Sequence, residues 1–162
     1  MDPQQIYQLL NLNGIKYQSI HHPAVLTTDE ADQYVQDYSF ARTKNLFLRT
    51  HNQKKYFLYV LPENKRFNEK GFRQAVKTSR LSFASPDELN QILGVAPGMV
   101  SPFNLLNDQS HQVSLIVEQE VLKMNKVIGV HPNTNTQTVI LETADLLALL
   151  KKVGASIQII NL

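Results

Sequence analysis

The stretch that most constrains this chain is Leu93 to Asp108, LGVAPGMVSPFNLLND. Gly94, Pro97, Gly98 and Pro102 deny it a regular strand or helix. Val95, Met99, Val100 and Phe103 make it too apolar for a segment that simply faces water. A backbone that turns tightly and is still buried has to be part of what the rest of the chain packs around. Two uses are open. It can be a tight structural turn between a helix and a strand. Alternatively, G-x-x-x-P from Gly98 to Pro102 can be a ligand wall, with Gly98 allowing close approach to the backbone and Pro102 fixing the exit. In that case the N–H groups beside Gly98 can bind a carbonyl oxygen as charge develops on it.

The flanking pattern predicts interleaved helices and strands. Asp2-Pro3 with Gln5 forms a capping box for a helix that stops at Gly14. Thr27 with Glu30, and Ser85-Pro86 with Glu88, mark two further helix starts, the last stopping at Gly94. Asn68 to Lys77 reads as a helix, and Thr143 caps another over Ala144 to Val153. Strands are expected at Ile15 to His21, Gln112 to Val117, Lys126 to Val130, Thr136 to Leu141 and Ser156 to Ile160. Asn45 to Arg49 and Lys55 to Leu61 form a hairpin around THNQK. The expected fold is α/β: a mixed sheet, strongly curved or closed into a barrel, with flanking helices. At 162 residues, with no internal repeat or linker, residues 1–162 are read as a single domain.

Apolar residues are 43% and charged residues 19%, which fits a soluble globular chain, and no apolar run reaches membrane-span length. With no signal-peptide pattern at MDPQQIYQLL and no cysteine, a cytoplasmic location is expected. The lack of cysteine also excludes disulfides, Cys-based zinc sites and a thiol nucleophile. There is no P-loop, no dinucleotide fingerprint, no G-x-S-x-G and no H-x-x-H or H-E-x-x-H spacing, so neither a metal nor a cofactor is expected. No carboxylate pair stands out beside the candidate residues.

Charge is unevenly spread. Arg42 to Arg80 carries eleven Lys or Arg against Glu63 and Glu69, a balance of +9 within a chain of net +2. That asymmetry fits a polyanionic partner such as nucleic acid, or a solvated helix face and a lysine-protected sheet edge. Lys44, in ARTKNLFLR, stands at a strand mouth. It is either an ordinary surface cation or one that reaches into a pocket and steadies an oxyanion. His131 in HPNTNT is either part of a Pro/Asn/Thr turn or a switchable polar contact.

Taken together, HHPAVLTTDEA (His21 to Ala31), TKNLFLR (Thr43 to Arg49), PGMVSPFNLLND (Pro97 to Asp108) and HPNTNTQTV (His131 to Val139) resemble the YbaK/prolyl-tRNA editing family of aminoacyl-tRNA deacylases. The resemblance covers almost the whole chain. KNLFLR with GMVSPF and HPNTNT is closer to the free-standing branch that clears alanine from proline tRNA than to the cysteine-clearing branch. It implies a barrel-like sheet with surrounding helices, no cofactor, and hydrolysis of the ester linking a wrong amino acid to the 3′-terminal adenosine of tRNA. Lys44, Gly98 and His131 fall on the family's catalytic positions. Thr27, Asn45, Met99, Val100, Ser101, Pro102 and Phe103 fall on substrate-binding ones. The acceptor stem then becomes the partner of the basic segment, and prolyl-tRNA synthetase a transient associate. A cysteinyl or broader deacylase, and a non-catalytic tRNA-binding or synthetase-associated module, are the alternatives.

Overall fold

Helix starts carry the most explicit local chemistry. In the computed structural model, which describes Met1 to Leu162, Asp2 and Gln5 close a reciprocal capping box on α1 (Pro3–Leu12). Thr27 Oγ1 accepts from Glu30 N at the start of α2 (Thr28–Tyr34). Ser85 and Glu88 repeat the box on α4 (Pro86–Glu88), which runs directly into a π-helical turn, Leu89–Leu93, that Gly94 ends in the left-handed conformation. Each motif satisfies backbone donors that would otherwise be orphaned at a helix end. Thr143 behaves differently from expectation. It is the first residue of α6 (Thr143–Lys152) rather than its cap, Glu142 occupies the cap position without a side-chain bond, and Thr143 Oγ1 is buried without a partner.

The strands are β1 (Tyr17–His21), β2 (Thr43–Thr50), β3 (Tyr56–Pro62), β4 (Leu81–Phe83), β5 (Val113–Glu118), β6 (Val127–Val130), β7 (Gln137–Glu142) and β8 (Ser156–Ile160). They form two sheets, β1-β7-β6 and β4-β2-β3-β5-β8. The first is antiparallel throughout. In the second, the β2–β3 hairpin and β4 are antiparallel, while β5 and β8 add in parallel.

The expected barrel-like or strongly curved sheet is not what forms. Neither sheet closes or curls strongly. The only backbone pairing between them is one bridge, Ala41 to Ile128, with Ala41 N bonded to Val127 O at 2.8 Å. Past that bridge β2 and β6 separate instead of continuing a ladder.

The five-stranded sheet is covered on both faces, which explains why β3 reads as the unbroken apolar run YFLYVLP. Phe47, Leu58, Val60, Leu115 and Val117 face the larger core with Ile6, Leu10, Phe103, Leu146 and Leu150. Leu48, Phe57, Tyr59, Leu61 and Ile116 face a smaller one, closed by Phe72 of α3 (Glu69–Val76). α3 carries the chain from the Pro62 end of β3, opposite Thr43, to β4, opposite Thr50. Phe72 packs it against Phe57 and Tyr59 of β3.

One buried carboxylate fixes the other edge. Glu118, at the end of β5 and just before α5 (Gln119–Met124), is fully buried. It accepts from Tyr59 Oη at 2.8 Å, Lys65 Nζ at 2.9 Å and Leu162 N at 2.9 Å. Burial alone would raise its pKa; the Leu162 N–H, Lys65 and Tyr59 outweigh this and hold it below the usual carboxylate value. Stability from this group is thus present above the unfolded pKa and lost as pH falls through the lower folded value. Glu118→Gln is expected to cost about 2 kcal/mol in urea unfolding at pH 7, with a smaller deficit in acid. An equal deficit at both pH values would contradict the linkage.

Candidate active site

Where β2 and β6 part, a cavity of about 420 Å³ opens between the two sheets. One side is Arg42 to Asn45 at the mouth of β2, and the opposite side is Gly129 to His131 at the end of β6. Gly98 to Val100 form a third wall, and Val25 to Thr28 with Ala31 and Val35 form a fourth. Gly129 is required by its neighbour, since a Cβ there would lie 2.5 Å from the Phe40 ring. Phe40 in turn carries the Arg42 guanidinium 4.2 Å above its ring. Arg42 also binds Asp32 at 2.8 Å and donates to the carbonyls of Val35 and Tyr38, which ties α2 to the rim.

The buried apolar loop resolves as two structures in series. Gly98 adopts φ +85°, where a side chain is strained. A Cβ would still find ordinary room, 3.5 Å from Leu26 O, so conformation rather than space selects glycine there. Ser101 then caps a 3-10 helix, Pro102–Asn107, with Pro102 at its first position. Asn104 Oδ1 accepts from Ser101 N at 2.7 Å, and Asn107 Nδ2 closes the base of the loop on Leu93 O at 2.8 Å.

Thr27, Lys44, Asn45, Gly98, Met99, Val100 and His131 all line the cavity. Ser101, Pro102 and Phe103 do not; they are fully or almost fully buried behind the wall they support. The Ser101 hydroxyl donates to His131 O at 2.7 Å, so it acts as a brace and is unavailable as a nucleophile.

The organising atom is Val100 O. It receives Asn45 Nδ2 at 3.2 Å and His131 Nε2 at 3.2 Å. A carbonyl only accepts, so both partners must donate. That fixes the Asn45 amide orientation and the His131 tautomer, leaving Asn45 Oδ1 and His131 Nδ1 as acceptors with no partner in the protein. Burial pushes the His131 pKa down to about 4, against a smaller upward pull from the Val100 carbonyl. The ring is therefore neutral at pH 7. Lys44 takes part in none of the ion pairs of the chain.

His22, Asn135 and Gln137 lie inside two of the four family-like motifs without being among the expected site residues, and they also line the cavity. His22 bonds Pro23 O through Nδ1 and Thr138 Oγ1 through Nε2, and its ring stacks on Tyr34 at 5.5 Å. Gln137 and Asn135 add polar surface, Gln137 being held by Tyr7 Oη. Carboxylates do converge at the rim, contrary to expectation: Asp29, Asp32 and Glu63 bring their oxygens within 4.8 Å of one another. These come from two segments far apart in sequence, so no local motif announces them.

The basic segment is only partly free. Arg42, Arg49 and Lys65 are paired with Asp32, Glu88 and Glu118. Lys70 and Arg73, on α3 away from Phe72, and Lys77, at its C-terminal cap, have no ion-pair partner. No helix is long and apolar enough to cross a membrane.

The aminoacyl-tRNA editing domain model matches residues 22–149, which takes in all four cavity walls. The chain belongs to the aminoacyl-tRNA editing family. As a member of it the chain is a hydrolase, an aminoacyl-tRNA deacylase, with tRNA as its substrate. It is 32% identical to the prolyl-tRNA editing protein ProX of Acetoanaerobium sticklandii, over 100% of this chain and 99% of that one. It is 28% identical to prolyl-tRNA synthetase associated domain-containing protein 1 of Mus musculus, over 97% and 94%. A solved structure described as a candidate trans-editing enzyme for prolyl tRNA synthetase shares the fold, with TM-score 0.73 and 19% identity over 96% and 94% of the two chains. Within the editing family this chain falls with the prolyl-tRNA editing deacylases.

Burial, then Asp32 and Asp29 beside it, push the Glu63 pKa up to about 7, opposed by Arg42. A carboxyl whose folded pKa is raised loses stability as pH climbs from its unfolded value through the folded one. Glu63→Gln is expected to raise the melting temperature more at pH 8 than at pH 5. An equal gain at both pH values would show that Glu63 ionises freely, and the reverse order that its pKa is lowered.

Proposed function

We propose that this deacylase acts in trans on mischarged tRNA(Pro), with alanyl-tRNA(Pro) as its preferred substrate, and that residues 1–162 work as one editing unit. The observation that carries this reading is the Val100 carbonyl, which locks Asn45 and His131 beside an unpaired Lys44 and the Gly98 turn. An aminoacyl ester is already activated, so the task is to orient water and to stabilise the tetrahedral oxyanion. Lys44 and the N–H groups beside Gly98 serve the oxyanion. Water oxygen bonds to the ester carbon, a substrate ribose hydroxyl takes the water's proton while passing its own to the 3′ oxygen, and that oxygen leaves as a hydroxyl as the C–O bond breaks. His131, neutral at pH 7, keeps the Val100 wall in place rather than acting as an acid. No protein nucleophile is needed, and the buried Ser101 hydroxyl is spent on His131 O.

Met99, Val100, Val25 and Val35 make the apolar end of the cavity, and their packing excludes proline by bulk. Size discrimination of this kind is worth only about 1–3 kcal/mol per methylene. The names of the relatives favour transient association with a prolyl-tRNA synthetase.

Ester loss from alanyl-, cysteinyl- and prolyl-tRNA(Pro) tests the assignment. Alanine is expected to be released fastest and proline spared, and Lys44→Ala should slow release by roughly 100-fold. Faster cysteine release would transfer the preference to cysteine. Tight tRNA binding without loss of any ester would favour a binding module.

The free cations of α3 make a separate prediction. Replacing Lys70, Arg73 and Lys77 together with Gln should raise KM for tRNA and flatten the log–log salt dependence of binding by about 2–3, with kcat retained. An unchanged salt slope would place the phosphate contacts elsewhere.

A further inference from the structure

Two of the cavity walls, Gly98 to Val100 and the His131 to Asn135 loop, are far apart in sequence and have no strand pairing between them. Three side-chain bonds join them. His131 Nε2 reaches Val100 O at 3.2 Å, Ser101 Oγ reaches His131 O at 2.7 Å, and Asn104 Nδ2 reaches Asn133 Oδ1 at 2.7 Å. The first two involve a cavity-lining residue on at least one side. The third does not, since neither Asn104 nor Asn133 lines the cavity. Asn104 is fully buried, and both ends of its amide are committed, Oδ1 to Ser101 N and Nδ2 to Asn133. Asn133 sits at φ +59°, a left-handed conformation that Asn, Asp and Gly accept more readily than other residues. The backbone at 133 is thereby turned to offer its side chain inward to Asn104.

We propose that the Asn104–Asn133 bond is a positioning clamp that sets the distance between these walls and so the size limit of the aminoacyl pocket. The inference rests on the deacylase reading. An apolar pocket separates groups differing by a methylene only if its walls cannot yield, because the whole difference is small. A half-buried amide–amide bond joining the two segments behind the cavity lining supplies that stiffness without touching the substrate. The two asparagines are specificity-determining at a distance, whereas Lys44 serves the reacting ester directly.

Two substitutions at one position isolate the bond. Asn133→Gly keeps the left-handed backbone and removes the acceptor; Asn133→Asp keeps both. Either change gives up the exposed bond from Asn133 Nδ2 to Met1 O, so that loss cancels in the comparison. The readouts are kcat/KM for tRNA(Pro) charged with alanine against 2-aminobutyrate, one methylene larger, and amide exchange at Ser101. Asn133→Gly is expected to shrink the alanine preference at least fivefold and to speed Ser101 exchange at least tenfold. Asn133→Asp should match wild type in both. Asn104→Ala also strips Ser101 N of its partner and risks misfolding, which makes the Asn133 pair decisive. An alanine preference within twofold of wild type in Asn133→Gly, with wild-type Ser101 protection, would overturn the clamp. If wild type cleaves neither ester, the deacylase reading fails, and unchanged Ser101 protection in Asn133→Gly would overturn the clamp as well.

Discussion

Asn45 comes from β2, His131 from the end of β6, and the wall between them from a loop that belongs to neither sheet; the Val100 carbonyl is where the three meet. A backbone oxygen with two lone pairs can take two donors at once, and here it takes one from each sheet. Both donors are half-buried, and the opposite atom of each side chain, Asn45 Oδ1 and His131 Nδ1, is shut away from water, so losing either bond leaves a polar group poorly hydrated. The same choice dictates everything next to it. It fixes the amide of Asn45, the tautomer of His131 and the path of the chain from Gly98 to Ser101.

That hub is needed because the sheets do not merge. The bridge at Ala41 and Ile128 starts a ladder that ends at once, and the departing backbones leave room for a substrate. A closed barrel would have filled the same space with paired strands and interior side chains. The five-stranded sheet can spare its edge here because its own stability lies elsewhere, in two covered faces and in the Glu118 cluster.

Much of this was legible in the residues, for identifiable reasons. Capping boxes at Asp2 and Ser85 are local, and the sequence states both members. The β2–β3 hairpin follows from two apolar runs across a short polar turn. Lys44, Gly98 and His131 lie on motifs, and they do gather at one cavity. What was hidden depends on distance along the chain. Asp29 and Asp32 meet Glu63 only after α2 packs against the rim. Sheet closure is a property of which edges touch, which alternation of side chains does not encode. Thr143 looked like a cap because its residue type favours one, yet the helix starts one residue earlier and buries the hydroxyl instead. Ser101, Pro102 and Phe103 share a motif with residues that line the cavity. Only the 3-10 turn reveals that they hold the wall from behind.

The single bridge between the sheets has a mechanical meaning. The sheets share one apolar core but no continuous ladder, so the mouth of the cavity is held by side-chain packing and by the two bonds to Val100 O rather than by backbone pairing.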